Sequence, residues 1–151
     1  MKNIMIIVLA LLVGYPAFVA AVDFPSDAAS IHVSWAFFTF PIVCSYEHYY
    51  DVGNGQIGIG AGISLVPNYA FVVGPAIGPH ISASIILGRK ALRFESKVHV
   101  SLFFQFLYYF DIKVFPGVNI GLRYQQPKSP FFCRFTLGLL DGVGVALGYA
   151  F

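Results

Sequence analysis

From Leu92 to Leu102 the chain sets Leu92, Phe94, Ser96, Val98, Val100 and Leu102 on one side of an extended backbone and Arg93, Glu95, Lys97, His99 and Ser101 on the other. A period of two with unlike faces specifies a strand, and it recurs along the chain. Ile57, Ile59, Ala61, Ile63 and Leu65 alternate with Gly58, Gly60, Gly62 and Ser64. Tyr108, Phe110, Ile112 and Val114 alternate with Asp111 and Lys113, and Ile120, Leu122 and Tyr124 with Gly121 and Arg123. Phe131, Cys133, Phe135, Leu137 and Leu139 oppose Arg134, Thr136 and Gly138. Turn chemistry punctuates the runs at Asp51 to Gly55, Pro67-Asn68, Gly78-Pro79, Gly88 to Lys90, Pro116-Gly117, Gln126 to Pro130 and Asp141-Gly142. Beyond the first 21 residues no window reaches the roughly 18 uninterrupted apolar residues of a membrane helix, so the chain reads as all-β.

A soluble sandwich and a closed transmembrane barrel both alternate in this way, and composition separates them. The chain is 58% hydrophobic, 17% aromatic and only 11% charged, whereas soluble domains carry roughly 25% charged residues. Phe, Tyr, Ile, Leu and Val occupy one face of nearly every strand, as on a lipid-facing wall, and the glycines of 58–62 suit a narrow lumen. Backbone groups cannot go unpaired in lipid, so the sheet must close on itself. Residues from about Ile31 to Phe151 accommodate strands of roughly 9 to 11 residues, which favours an antiparallel barrel of eight strands, with ten as the alternative. Pro41 leaves 31–50 open between a hairpin and one strand with a leader. A barrel of that size is filled by its own side chains, which excludes a general porin. The nine Lys and Arg and seven Asp and Glu are scattered, without the basic stripe that a nucleic-acid partner needs.

The first 21 residues read as a signal peptide. Lys2 precedes an apolar run from Ile4 to Val13, too short to span a bilayer, and Val19-Ala20-Ala21 supplies small residues before a cut after Ala21. Residues 22–151 are then the barrel domain, exported to the bacterial outer membrane with its lipid as the surrounding partner. The first cysteine is Cys44, which argues against lipid anchoring at the mature terminus. Cys44 and Cys133 stand in separate runs, and two unpaired thiols are expected.

In the last strand Val143, Val145, Leu147, Tyr149 and Phe151 share one face. A terminal aromatic behind alternating apolar residues resembles the signal by which the barrel-assembly machinery recognises bacterial outer-membrane barrels. Ile120-Gly-Leu-Arg-Tyr-Gln-Gln-Pro-Lys, then Pro130-Phe-Phe-Cys-Arg-Phe-Thr-Leu-Gly, then Gly142 to Phe151 resemble the C-terminal third of small outer-membrane barrel proteins of the Bacteroidota. Tyr46-Glu47-His48 and Leu87-Gly88-Arg89-Lys90 are similar to its other strand and turn positions. The resemblance implies a barrel in the outer membrane with no assigned activity, in a structural role or in contact with a partner envelope protein.

Chemistry-bearing residues are sparse. His99-Val100-Ser101 resembles the His-x-Ser element of outer-membrane lipid A deacylases. That likeness implies Ser101 as nucleophile, His99 as base, and Glu95 or Glu47 as orienting carboxylate. Glu95 and His99 share a strand at a span of about 13 Å, so the carboxylate has to come from across the sheet, from Glu47 or Asp111. The competing reading is a lumen polar network of Arg93, Glu95, Lys97, His99, Asp111, Lys113, Arg123 and Arg134, in which buried charges neutralise one another. The four histidines lack metal-ligand spacing, and the Gly run at 53–62 lacks the Lys-Ser/Thr ending of a phosphate loop, so no metal and no cofactor is called for. The tyrosines and Trp35 suit interfacial girdles.

Overall fold

The computed structural model describes residues 25–35, 40–67, 75–88, 90–105, 111–126 and 129–151. The signal peptide read at 1–21 lies outside the described residues, as do Tyr108 and Phe110. Eight strands follow in chain order: β1 (Asp27–Trp35), β2 (Ile42–Val52), β3 (Gly55–Val66), β4 (Ala76–Leu87), β5 (Leu92–Gln105), β6 (Asp111–Gln125), β7 (Phe131–Gly138) and β8 (Gly142–Ala150). Each pairs antiparallel with the next, and β8 pairs back onto β1, closing the barrel. The closing seam runs from Ala28 opposite Ala150 to Trp35 opposite Val143. Closure leaves no sheet edge exposed. No helix occurs among the described residues.

Two expectations change, and one left open is resolved. The first strand starts at Asp27 rather than near Ile31, because Asp27 exchanges backbone hydrogen bonds with Phe151. The 31–50 segment is a hairpin, with Pro41 just before β2 and its carbonyl accepting from the Ser34 amide at 3.0 Å. Gly78-Pro79 and Pro116-Gly117, read as turns, lie inside β4 and β6. The prolines point outward, and the β4–β5 ladder skips from Ile77 to His80, where Pro79 has no N–H to give. The glycines are there for close approach: a Cβ at Gly78 would strike the Leu102 carbonyl, and one at Gly117 would strike the His99 ring.

The alternation sorts the side chains inside out. Ile31, Ile59, Ile63, Ile81, Val98, Val145 and Leu147 are exposed on the outer wall. Aromatic residues cluster on that wall at both ends: Phe131, Tyr149 and Phe151 in mutual ring contact beside the termini, and Trp35 stacked on Phe40 at 5.8 Å at the opposite end. Inside are Glu47, Arg93, Glu95, Lys97, Arg123 and Arg134, all buried. Connections beside the termini are short, at 53–54, 88–91 and 126–130. Those at the other end, 36–41, 67–75, 106–110 and 139–141, include the longest in the barrel. Two apolar clusters cap the lumen: Ala28, Tyr49, Ile86, Phe132 and Ala150 near the termini, and Val66, Ala76 and Phe103 at the loop end.

Candidate functional site

The lumen between those clusters contains two polar layers. The layer nearer the termini is an ion network centred on Glu47. Its Oε1 accepts from Lys97 Nζ at 2.5 Å and its Oε2 from Arg134 Nη2 at 2.8 Å, while the Tyr49 hydroxyl donates to Oε2. Arg134 also sets its Nε 2.9 Å from Glu95 Oε2. Glu47 and Arg134 are almost wholly buried, at 1% and 3% exposure, where an ionised group persists only if paired. Gly60, one strand over, leaves the space that the Glu47 side chain fills.

Below it, Arg123 donates to the Tyr49 hydroxyl at 2.7 Å and stacks its guanidinium on Phe132 at 3.8 Å. Arg93 donates to Gln56 at 3.0 Å and to Gln125 Oε1 at 2.6 Å, an oxygen it shares with Arg123. Gly58 and Gly148 provide room for the rings of Tyr49 and Phe132. This half of the lumen is packed solid, as eight strands allow.

The loop-side half is different. Three imidazoles ring a cavity of about 150 Å³, bounded by Lys97 and Arg134 on one side and by Val66, Phe103 and Phe115 on the other. His32 Nε2 lies 3.1 Å from Thr136 Oγ1, and His99 Nε2 lies 3.1 Å from Asp141 Oδ2. His80 Nδ1 is 2.9 Å from Ser101 Oγ, which is 3.0 Å from Ser64 Oγ. The His80 and His99 rings face each other with centroids 5.1 Å apart. Asn119 donates to Asp141 Oδ2 at 2.9 Å. Asp141 sits in the β7–β8 turn. Burial opposes its ionisation, but the hydrogen bonds from His99 and Asn119 and the nearby His99 charge hold its carboxyl below the usual carboxylate value.

The residues singled out as a hydrolytic trio do not meet. Ser101 is bonded to His80 on β4, its cross-strand partner, rather than to His99. His99 turns to Asp141, and both Glu47 oxygens are taken by Lys97, Arg134 and Tyr49. Of the eight residues read as a lumen network, Arg93, Glu95, Lys97, His99, Arg123 and Arg134 are buried inside. Lys113 is half-buried near the loop end, and the Asp111 side chain lies outside the described residues. Val143, Val145, Leu147, Tyr149 and Phe151 all face outward. Cys44 and Cys133 are exposed and unbridged.

Sequence reasoning weighed His32 and His80 only as metal ligands and passed over Asn119, Asp141, Tyr49 and Gln125 as lumen residues. Parity alone places His80 and Asn119 inward on their strands, but only the β4–β5 register puts His80 opposite Ser101. Among the described residues no three His, Cys, Asp or Glu side chains gather as a metal site. Compared with known proteins, the chain matches no family model and no curated sequence.

Proposed function

We propose that this chain is a small outer-membrane barrel, exported by its signal peptide and assembled by the barrel-assembly machinery, with a structural role or a role in contact with a partner envelope protein. The inside-out sorting carries the reading: a closed barrel whose exposed wall is Ile, Leu, Val and ringed aromatics and whose buried interior is ionised. An exposed apolar surface running right round a barrel far exceeds the few hundred Å² that a soluble monomer shows in one patch. In lipid the same surface is solvated, and the aromatic clusters at its two ends match the two interfaces. A barrel of eight strands is narrow enough for its own side chains to fill, which supports a structural or contact role over a general aqueous channel.

The hydrolytic alternative has a hydroxyl on an imidazole but no carboxylate behind it: His80 Nε2 has no partner among the described residues. Ser101→Ala should therefore leave the mass spectrum of lipid A unchanged in cells expressing the protein. A shift in that spectrum, abolished by the substitution, would restore the enzyme.

Trp35, the single tryptophan, tests the membrane reading directly, since it is 63% exposed on the outer wall. After refolding into phospholipid vesicles its fluorescence should shift to the blue. Lipids brominated near the headgroup should quench it more than lipids brominated at the chain end. A water-exposed spectrum immune to both would contradict the reading.

A further inference from the structure

We propose that the loop-side cavity is a binding site for a small monocarboxylate, its carboxylate on Lys97 and its apolar end against Val66, Phe103 and Phe115. The inference rests on the lumen and not on where the barrel resides. The first observation is that the space is built. Eight strands bring inward side chains close enough to fill the axis, yet at this level glycines let the polar side chains lie back on the wall. A Cβ at Gly117 would overlap the His99 ring, one at Gly144 would overlap His32, and one at Gly138 would overlap the Asn119 amide. The axis stays open over about 150 Å³, a volume that admits a molecule of about six non-hydrogen atoms.

The second observation is a gradient along β5. Lys97, His99, Ser101 and Phe103 point inward in succession, from the ion network to the loop end, so the cavity is cationic at its floor and apolar at its mouth. Lys97 is 8% exposed and gives one of its three N–H donors to Glu47, leaving two for a ligand. His80 is 3% exposed, and its Nε2 has no partner among the described residues. In the tautomer in which Ser101 donates to Nδ1, the hydrogen sits on Nε2 and offers the same ligand a second donor.

The third observation is sign. Two buried cations, Lys97 and Arg134, line the cavity against a single carboxylate among the described residues. Asp141, the one carboxylate lining the cavity, is already held by His99 and Asn119. An anion entering this space lowers the electrostatic cost of the lumen, and a cation raises it. An anion with a short hydrocarbon end matches both ends of the cavity.

The experiment is calorimetric titration of the refolded mature barrel, in a neutral detergent, with butyrate and with n-butanol. Butyrate should bind saturably and one-to-one, with n-butanol at least tenfold weaker. Lys97→Gln should weaken butyrate by tenfold or more. Val66→Phe should abolish binding, since it fills the cavity from the mouth without altering charge. The unboiled gel mobility of each variant reports whether its barrel is closed. If Lys97→Gln does not fold, the n-butanol and Val66→Phe arms decide. Absence of saturable butyrate binding, equal binding of n-butanol, or binding that survives Val66→Phe would each overturn the proposal.

Discussion

Glu47 is a hub of the lumen: Lys97, Arg134 and Tyr49 all end on its two oxygens. Truncating it leaves buried Lys97 without its carboxylate and Arg134 with Glu95 alone, and breaking a buried pair costs about 3–5 kcal/mol. Glu47→Ala should therefore lower the unfolding free energy of the barrel by that amount, read as a lower urea midpoint, with Glu47→Gln in between because the amide still accepts. An unchanged midpoint for both would mean the network contributes nothing. Asp141 gives a pH signature. Its folded carboxyl titrates below the ordinary value, so its stabilisation is present at neutral pH and is lost as pH falls through the lowered pKa. Wild type should exceed Asp141→Asn in unfolding midpoint near neutrality, and the two should converge as the pH falls through the lowered Asp141 pKa. At this scale the sequence was only half legible. That Glu95, Lys97 and His99 share a face follows from parity. That Ser101 meets His80, and His99 meets Asp141, follows from register and turn geometry, which parity does not contain.

Strands were far more legible than contacts, because a period of two survives without any knowledge of the partner strand. The face assignment of Leu92 to Leu102 holds residue for residue, with Arg93, Glu95, Lys97, His99 and Ser101 buried. What misled was proline and glycine inside strands. Pro116-Gly117 has the composition of a turn, yet Gly117 is where β6 makes way for an imidazole, and Pro116 faces outward where its missing N–H costs one ladder bond. Gly117→Val should accordingly displace His99 and lower stability, seen as a reduced unfolding midpoint, while Gly53→Asn in the β2–β3 turn should cost much less, since nothing crowds that position and Asn tolerates its left-handed φ of 54° better than other side chains. The outer wall makes a separate prediction. An arginine at a mid-strand outward site such as Ile59 should cost about 2–4 kcal/mol in a bilayer, and one at Leu92, at a strand end, about 0–1 kcal/mol. Reversible unfolding from lipid vesicles measures both. Equal and negligible costs would mean that water, not lipid, bathes the wall.

At the scale of the whole molecule, the eight-strand closed barrel was within reach of length and composition. About 120 residues divide into eight strands with their turns, and a low charge content makes closure the only way to pair the backbone away from water. The division of the lumen into a packed half and a cavity was not within reach, because it depends on which glycines lie opposite which large side chains. Gly58, Gly60 and Gly148 receive Tyr49, Glu47 and Phe132 and close one half. Gly117 and Gly144 receive imidazoles laid against the wall and open the other. This inside-out order is what supports the proposal that the barrel is folded in the outer membrane. Gel electrophoresis of a cell-envelope fraction, boiled against unboiled, tests it most directly. The protein should sediment with the outer membrane and migrate faster unboiled, as a closed barrel that detergent alone does not unfold. A single mobility, with the protein in the soluble periplasmic fraction, would contradict it.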